Sequence, residues 1–389
     1  MNPSIIVVGG GAVGLSLAWE LARRDCEVTL IDRGEVGSGT TWTAAGILPP
    51  ANLEHATDPM DRLRGLSHQL YPKWSEQLLK ETSIDIELRR CGGWYLAETA
   101  GERALMAGMI AYWNEMQIQC DAVPLPDVAR REPSLANWTT QTPSAAAWWV
   151  PDEYQIRPPR LTQALHAACV SSGVTIRQGC EVVDVASNDV ASHDVASNRG
   201  TAVVSLADRT TIKADHAILC SGVWTGGLAD RLHLNQSLIP IRGQMLLLKT
   251  DRPVIESIVN VGNRYVIARE DGHTLVGSCE EESGFDLSTD ETMLETLHQF
   301  AIATVPSLRT ASRVSAWSGL RPMTFDGFPM IGPVPSQPGL WVASGHYRSG
   351  IHLAPATAVT LADAILGERP AIDISSFAVG KQQVFDTSL

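Results

Sequence analysis

The sequence has too few basic residues for a protein whose main partner is a nucleic acid. It contains 30 Lys and Arg against 43 Asp and Glu, which gives a formal net charge of -13. Nucleic-acid backbones and anionic membrane surfaces are bound by clustered Lys and Arg, and the sequence holds no such cluster. The composition therefore favours a small or neutral ligand.

Paired cysteines and long apolar runs are also scarce. The seven cysteines are scattered without a C-x-x-C pair, and an odd count of this kind is typical of reduced thiols. The one long apolar stretch near the start, residues 5–22, lacks a charged leader and is interrupted by three consecutive glycines. We expect a cytoplasmic protein without an integral membrane segment, and peripheral membrane contact stays open.

The first thirty or so residues predict a dinucleotide-binding unit. A β-branched apolar run, Ser4 to Val8, is followed by a glycine turn, a helical period and a second strand pattern that ends on Asp32. Gly9, Gly11 and Gly14 form the G-x-G-x-x-G fingerprint: the first permits the tight turn, the second lets a pyrophosphate approach, and the third lets the helix pack on the strand. We expect Asp32 to accept hydrogen bonds from ribose hydroxyls. The alternative is a glycine-rich turn in an ordinary α/β protein.

The fingerprint alone does not distinguish NAD from FAD. Residues 34–48, GEVGSGTTWTAAGIL, add a second cluster of small and hydroxyl residues that resembles one in flavoproteins of the glutathione-reductase-like superfamily. The strand pattern that runs into Ser221 and Gly222 resembles the A-T-G motif of FAD domains, with Cys220 in place of the alanine. Because no second G-x-G-x-x-G is present, we expect electrons to come from a substrate that meets the flavin directly.

The flavin motifs are far apart, which predicts two interleaved domains. We predict an FAD-binding domain from residues 1–85, 150–235 and 315–389, and a substrate domain from 86–149 and 236–314. Strand patterns in 89–98 and 240–279 are expected to share one sheet, with helical patterns at 63–81 and 103–116. The near-exact pentapeptide repeat at 184–198 is interpreted as an expanded hairpin loop, and a partner-binding surface is the alternative.

Two C-terminal motifs add a family resemblance. SAWSGLRPMTFDGFPMIGP at 315–333 and GHYRSGIHLAPATA at 345–358, together with the fingerprint, resemble the FAD-dependent amine oxidases of the D-amino acid oxidase family, especially the glycine oxidases of thiamine biosynthesis. The likeness covers almost the whole chain. It implies an α/β fold with a discontinuous glutathione-reductase-type, Rossmann-like FAD-binding domain, and an α+β substrate domain with a mainly antiparallel sheet.

The substrate residues follow from chemistry and from this resemblance. Arg321 precedes Pro322, which favours an extended strand end that projects a planar guanidinium fork, the natural partner of an α-carboxylate. The resemblance implies that Arg321 and Tyr265 bind the carboxylate and that Arg348 lies beside the flavin. A surface ion pair for Arg321, a packed sheet aromatic for Tyr265, and a purely loop-shaping Arg348 are the alternatives.

The cofactor is expected to be FAD, held non-covalently because no cysteine follows Cys279, and no metal is expected. A helix that starts near Ala354 would supply positive charge, and Gly345 and Gly350 would let the backbone approach the flavin ring. The predicted cofactor contacts are Gly9, Gly11, Ala12, Val13, Gly14, Asp32, Arg33, Thr40, Thr41, Ala45, Gly46, Val182, Ser221, Gly222, Trp224, His346, Tyr347, Arg348, Ser349, Gly350 and Ile351.

The predicted activity is oxidation of glycine, sarcosine or a small D-amino acid to an imine, with O2 as electron acceptor and hydrogen peroxide as product. A dehydrogenase that passes electrons to a quinone or carrier protein is the nearest alternative. A non-catalytic flavin protein or an RNA-modifying flavin domain is the third, and the acidic composition disfavours RNA. We also expect a homo-oligomer.

Overall fold

The structure is a computed structural model, and it describes residues 2–188, 201–228 and 238–380. In these ranges the strands form four sheets, and no helix has the length and apolar character that a membrane span requires. The strands are β1 Ser4–Val8, β2 Glu27–Ile31, β3 Ile47–Leu48, β4 Arg89–Arg90, β5 Gly93–Ala97, β6 Asp121–Ala122, β7 Ala146–Val150, β8 Tyr154–Gln155, β9 Thr175–Arg177, β10 Val182–Asn188, β11 Thr201–Leu206, β12 Thr211–Ala214, β13 His216–Leu219, β14 Leu238–Lys249, β15 Ile258–Val261, β16 Arg264–Ala268, β17 His273–Gly277, β18 Ser312–Thr324, β19 Met330–Pro333 and β20 Leu340–Ser344. The helices are α1 Ala12–Ala22, α2 Pro59–Thr82, α3 Ala100–Glu115, α4 Leu125–Arg131, α5 Ala136–Gln141, α6 Pro158–Ser171, α7 Thr225–Leu228, α8 Glu291–Thr304 and α9 Gly350–Ile365.

A six-stranded sheet forms the cofactor side of the fold. Its strand order is β19-β20-β13-β1-β2-β9, and every neighbouring pair is parallel except β19 with β20. Ile5 and Val7 of β1 pack on the helices of one face, while Ile6 and Val8 pack on the β10-β11-β12 sheet on the other. Both faces are therefore covered, which explains why β1 is apolar at consecutive positions.

The glycine turn allows helix α1 to lie close to this sheet. Gly9 has φ of +109°, and a Cβ there would lie 2.6 Å from the carbonyl oxygen of Cys220. A Cβ on Gly14 would overlap with the carbonyl oxygen of Gly9. The expected roles of Gly9 in the turn and of Gly14 in helix packing are therefore confirmed.

An eight-stranded sheet forms the other side of the fold. Its order is β18-β14-β17-β16-β15-β5-β7-β6, and all neighbours are antiparallel except β15 with β5. The longest pairing runs from Leu238 opposite Thr324 to Lys249 opposite Ser312, and it joins β14 to β18. This mainly antiparallel sheet confirms the predicted fold class.

Several local predictions are confirmed and others need correction. The predicted helices at 63–81 and 103–116 correspond to α2 and α3. The stretch 89–98 does not form one strand, because Gly92, with φ of +68°, turns the chain and puts β4 and β5 in different sheets. The predicted boundary at Ser315 falls inside β18, and the division into two domains otherwise stays a prediction.

The pentapeptide repeat lies only partly within the described residues. The strands β10 and β11 that flank it pair antiparallel, as a hairpin requires. Its first unit, residues 184–188, belongs to β10 and not to a loop. The remainder of the repeat, 189–198, lies outside the described residues.

The C-terminal helix α9 begins at Gly350, earlier than the predicted start near Ala354. Pro355 therefore lies inside the helix, where it cannot donate a hydrogen bond to the carbonyl oxygen of Ile351. The hydroxyl of Tyr71 on α2 donates to that oxygen at 2.5 Å instead. A long-range contact thus satisfies the group that the proline leaves unpaired.

We predict that Gly14→Ala destabilises the protein and weakens cofactor binding, because the new methyl group must push α1 away from β1. The expected loss in unfolding free energy is about 1–3 kcal/mol, measured by urea titration. Gly108→Ala in α3 is the matched control, since no atom lies within 4 Å of its Cβ position. The control is expected to gain about 1 kcal/mol from helix propensity, and equal effects in both variants would contradict the packing argument.

Candidate active site

A cavity of about 1150 Å³ runs from the carboxyl ends of β1 and β13 to the face of the eight-stranded sheet. This volume exceeds that of an ordinary small-ligand pocket. Every predicted cofactor and substrate residue lines the cavity except Gly14, which packs α1 on β1. The structure therefore brings together residues that are more than 300 positions apart, such as Gly9 and Arg348.

At one end of the cavity, Asp32 holds the glycine turn. Its Oδ2 accepts a hydrogen bond from the backbone N–H of Gly10 at 2.7 Å, and its Oδ1 accepts one from Gly34 at 2.8 Å. Each carboxylate oxygen keeps a further lone pair for a ribose hydroxyl, so the ribose contact stays a prediction. Nearby, the guanidinium carbon of Arg33 lies 4.0 Å from the centre of the Trp224 ring.

The second small-residue cluster has a structural part that its composition did not indicate. The backbone N–H of Ala12 donates to Thr41 Oγ1 at 2.9 Å, so this hydroxyl holds the start of α1. Thr40 Oγ1 donates to the carbonyl oxygen of Leu320 at 2.9 Å. These two threonines therefore connect the dinucleotide turn to β18.

At the other end, a row of side chains crosses the eight-stranded sheet. Tyr95 on β5 is in register with Asn260 on β15, and Asn260 is in register with Tyr265 on β16. Gly277 on β17 and Met245 on β14 continue the row. Tyr95, Asn260, Tyr265 and Met245 line the cavity. Tyr95, Asn260 and Met245 could not be predicted from the sequence, because each strand contributes a single residue to the row.

Tyr265 is a buried member of this row. Its hydroxyl lies 3.3 Å from Met245 Sδ, and burial raises its pKa above the ordinary value. A Cβ on the intervening Gly277 would lie 2.7 Å from that hydroxyl oxygen. The alternative of a packed aromatic is compatible with this burial, but the side chain also faces the cavity.

Arg321 carries an uncompensated positive charge beside Tyr265. Its Nη1 donates to the carbonyl oxygen of Cys279 at 3.1 Å, and its Nη2 donates to Ser278 Oγ at 2.8 Å. Among the described residues it forms no ion pair, so the alternative of a surface salt bridge is not observed. Two neutral acceptors fix the guanidinium, and the remaining N–H groups are left for a ligand.

Arg348 differs from Arg321 because it has a carboxylate partner. Its Nη1 lies 3.0 Å from Glu280 Oε1, and both side chains are more than one third exposed. An exposed ion pair of this kind contributes about 0–1 kcal/mol. The pair breaks at little cost, so the geometry is compatible with contact to a substrate or with shaping of the loop alone.

Two glycines flank the loop before α9, and the backbone conformation requires glycine at one of them. Gly345 has φ of +84°, and a Cβ there would lie 2.5 Å from Thr324 Cγ2. Gly350 has φ of -56° and is the first residue of α9, so no backbone constraint requires glycine there. Gly345 is therefore the glycine that this loop conformation requires, and the approach of both glycines to the flavin ring stays a prediction.

The wall beside α9 holds two buried histidines. Burial lowers the pKa of His346 to about 4 and that of His352 to about 3. Both imidazoles are therefore neutral at ordinary pH. The positive potential at this wall comes from the N-terminus of α9, which carries no acidic residue in its first turn.

One cavity contains both a glycine-rich dinucleotide turn and an arginine without an ion-pair partner among the described residues. These features define the class of dinucleotide-binding enzymes with a substrate pocket on an adjacent sheet. Residues 4–364 match the model of the family described as DAO, FAD dependent oxidoreductase. The chain is 33% identical to the glycine oxidase of Pseudomonas putida over 97% of this chain and 98% of that protein. This chain belongs to the DAO family of FAD-dependent oxidoreductases.

Solved structures agree with this placement. The crystal structure of glycine oxidase from Geobacillus kaustophilus has a TM-score of 0.87 at 29% identity and covers 98% of this chain and 100% of that one. The iminodiacetate oxidase of Chelativorans sp. BNC1 has a TM-score of 0.82 at 23% identity, covering 96% and 98% of the two chains. At that identity the likeness supports the fold alone.

FAD is therefore the cofactor, and the cavity fits it. The first turn of α1 has no acidic residue and opens on the cavity, which suits a pyrophosphate. A Cβ on Gly11 would take up space at the edge of the cavity, where the one atom within 4 Å is Thr41 Oγ1. Non-covalent attachment stays a prediction. It is based on the absence of cysteine from residues 280–389.

The buried His346 predicts a pH-dependent stability. Between pH values of about 6.5 and 4 the unfolded chain binds a proton that the folded chain does not. The contribution is therefore complete above the unfolded pKa and is lost as pH falls through this window. From about pH 7 to about pH 5, we expect the native protein to lose about 2 kcal/mol more unfolding free energy than His346→Gln. Urea titration at both pH values measures the difference, and parallel curves for the two proteins would refute it.

Proposed function

We propose that this protein is an FAD-dependent oxidase of a small amino acid, with glycine, sarcosine and small D-amino acids as the candidate substrates. The observation that carries the proposal is the guanidinium of Arg321, fixed by two neutral acceptors and facing the cavity without a carboxylate partner among the described residues. The glycine oxidase relative supports this substrate class. A cytoplasmic location and a homo-oligomeric state stay predictions.

The residues of the chain would mainly position the substrate. Arg321 binds the α-carboxylate through parallel charge-assisted hydrogen bonds, and the hydroxyl of Tyr265 donates to the same group. The positive charge of Arg321 also lowers the pKa of the substrate amine in a closed site, which favours the neutral amine. FAD, when bound, would supply the acceptor for the hydride from the α-carbon. Orientation of the reacting C–H bond is therefore the main contribution of the protein.

Oxygen consumption separates the proposed oxidase from a dehydrogenase. The holoenzyme is incubated with glycine, sarcosine and D-alanine, and oxygen uptake and peroxide formation are measured beside the reduction of an artificial dye. The proposal expects peroxide in step with the imine product, because O2 is the proposed acceptor. Fast dye reduction without peroxide would show a dehydrogenase, and turnover of none of the three amino acids would overturn the substrate class.

We predict that Arg321→Ala lowers kcat/KM for every amino acid substrate by about 100-fold or more, since it removes a charged hydrogen-bonding partner from the site. The loss should appear mainly in KM, with the flavin spectrum retained. Arg313→Ala on the same strand is the control, because Arg313 pairs with Glu291 and Glu295 away from the cavity. Unchanged turnover in Arg321→Ala would show that the carboxylate assignment is wrong.

A further inference from the structure

A buried glutamate lies at the end of the cavity beyond Tyr265. Glu153 follows β7, is fully buried and lines the cavity. A Cβ on Gly93 would overlap with its Oε2, so the glycine makes room for the carboxyl group. Tyr95 and Asn260 of the cross-strand row lie against the carboxyl group.

Polar atoms of this cluster lack hydrogen-bond partners. Tyr95 and Asn260 lie close enough to the carboxyl group to affect its pKa, but neither oxygen of Glu153 accepts a well-aligned hydrogen bond among the described residues, and Nδ2 of Asn260 donates none. Burial of an unpaired polar group is costly, and such groups are few in folded proteins. One side chain presents free acceptors and its neighbour presents a free donor, so a ligand group that both donates and accepts would satisfy both.

The charge state of the cluster favours an uncharged ligand group. Burial raises the pKa of Glu153 to about 8, and the contacts with Tyr95 and Asn260 lower it by less. The carboxyl group is therefore mostly protonated at neutral pH and both donates and accepts hydrogen bonds. Among these three side chains, an ammonium group would find no preformed anion and a second carboxylate would find no cation.

The cross-strand register connects this cluster to the proposed carboxylate site. Tyr95, Asn260 and Tyr265 occupy successive strands, which are spaced about 4.8 Å apart. The backbone of Asn260 therefore lies about 5 Å from that of Tyr265, and the backbone of Tyr95 lies about 10 Å from it. The cluster and Arg321 line the same cavity, so a substrate held by Arg321 would have room to extend toward the cluster.

We infer that Glu153, Tyr95 and Asn260 form a second polar subsite, which binds a hydroxyl or carboxamide group at the end of the substrate distant from its α-carboxylate. The inference rests on the proposed function because it assumes a carboxylate held by Arg321. It adds amino acids that carry an uncharged polar group on the side chain or on the amine nitrogen to the candidate substrates.

Paired carboxylate ligands test the subsite without turnover. The holoenzyme is titrated with 3-hydroxypropanoate, 4-hydroxybutanoate and 5-hydroxypentanoate, each beside the alkyl acid of equal chain length, and binding is followed by the change in flavin absorbance. At one chain length the hydroxy acid should bind about fivefold tighter or more than its alkyl partner, which is the size of one hydrogen bond. Equal affinities at all lengths would overturn the inference and indicate that ordered water alone fills the cluster.

Four variants test which residues cause the preference for the hydroxy acid over the alkyl acid. Glu153→Leu should reduce the affinity ratio to about one, and Glu153→Gln should retain it, because the amide still donates and accepts. Tyr95→Phe removes a single hydroxyl and should reduce the ratio in part, which keeps the test valid should Glu153→Leu fail to fold. Glu132→Gln is the control: this second buried glutamate is paired with Ser257 and does not line the cavity. A ratio that survives Glu153→Leu in folded protein would contradict the assignment.

The two proposals fail in different ways. If Arg321→Ala binds neither the hydroxy acid nor the alkyl acid of a pair, the result supports Arg321 as the carboxylate-binding residue. This holds whatever the ratio of the two affinities in the native protein. If glycine is not oxidised but the ratio depends on Glu153, the proposed reaction is wrong and the subsite stands. If glycine is oxidised and the ratio is one at every length, the reaction stands and the subsite is wrong.

Discussion

The pairing of β18 with β14 fixes Arg321, the proposed substrate anchor, relative to the segments predicted to hold the cofactor. β18 carries Arg321, and its backbone contacts both cofactor segments: the carbonyl oxygen of Leu320 accepts the hydroxyl of Thr40, and Met323 forms a bridge with His346. The indole of Trp317 also donates to the carbonyl oxygen of Thr43 at 3.0 Å. One strand therefore sets the distance between the guanidinium and the flavin segments, and a shift of its register would move every member of the site together.

Charge inside the cavity is distributed unevenly. The buried histidines at the α9 wall are neutral, Arg348 is paired with Glu280, and the buried Glu153 keeps its proton at neutral pH. Arg321 is consequently a positive charge without a carboxylate partner among the described residues on this side of the cavity. A single positive charge in mostly neutral, low-dielectric surroundings orients an anion more strongly than the same charge in water, so one arginine is sufficient to fix a carboxylate.

Local patterns predicted the local structure, and long-range pairing decided the rest. The strand, glycine turn and helix at the N-terminus were predictable because each depends on neighbouring residues. The start of α9 was not, because the donor that lets Pro355 sit inside the helix comes from Tyr71 on another helix. The cross-strand row could not be predicted either. The neighbours of Asn260 on the two adjacent strands are determined by strand register, which the spacing of residues along the chain does not reveal.

Glycines without a motif explain how the substrate side is built. Four strand glycines stand where a Cβ would overlap with a side chain or press against it: Gly243 with Arg321, Gly277 with Tyr265, Gly319 with Thr43 and Gly93 with Glu153. Glycine in a strand interior costs stability, because it loses more backbone entropy and packs no side chain. These four glycines lower the stability of the sheet, yet each makes room for a polar side chain. Their positions are therefore better explained by the site than by the fold. Gly93 makes room for Glu153 as Gly243 makes room for Arg321, which is a structural reason to treat both ends of the cavity as functional.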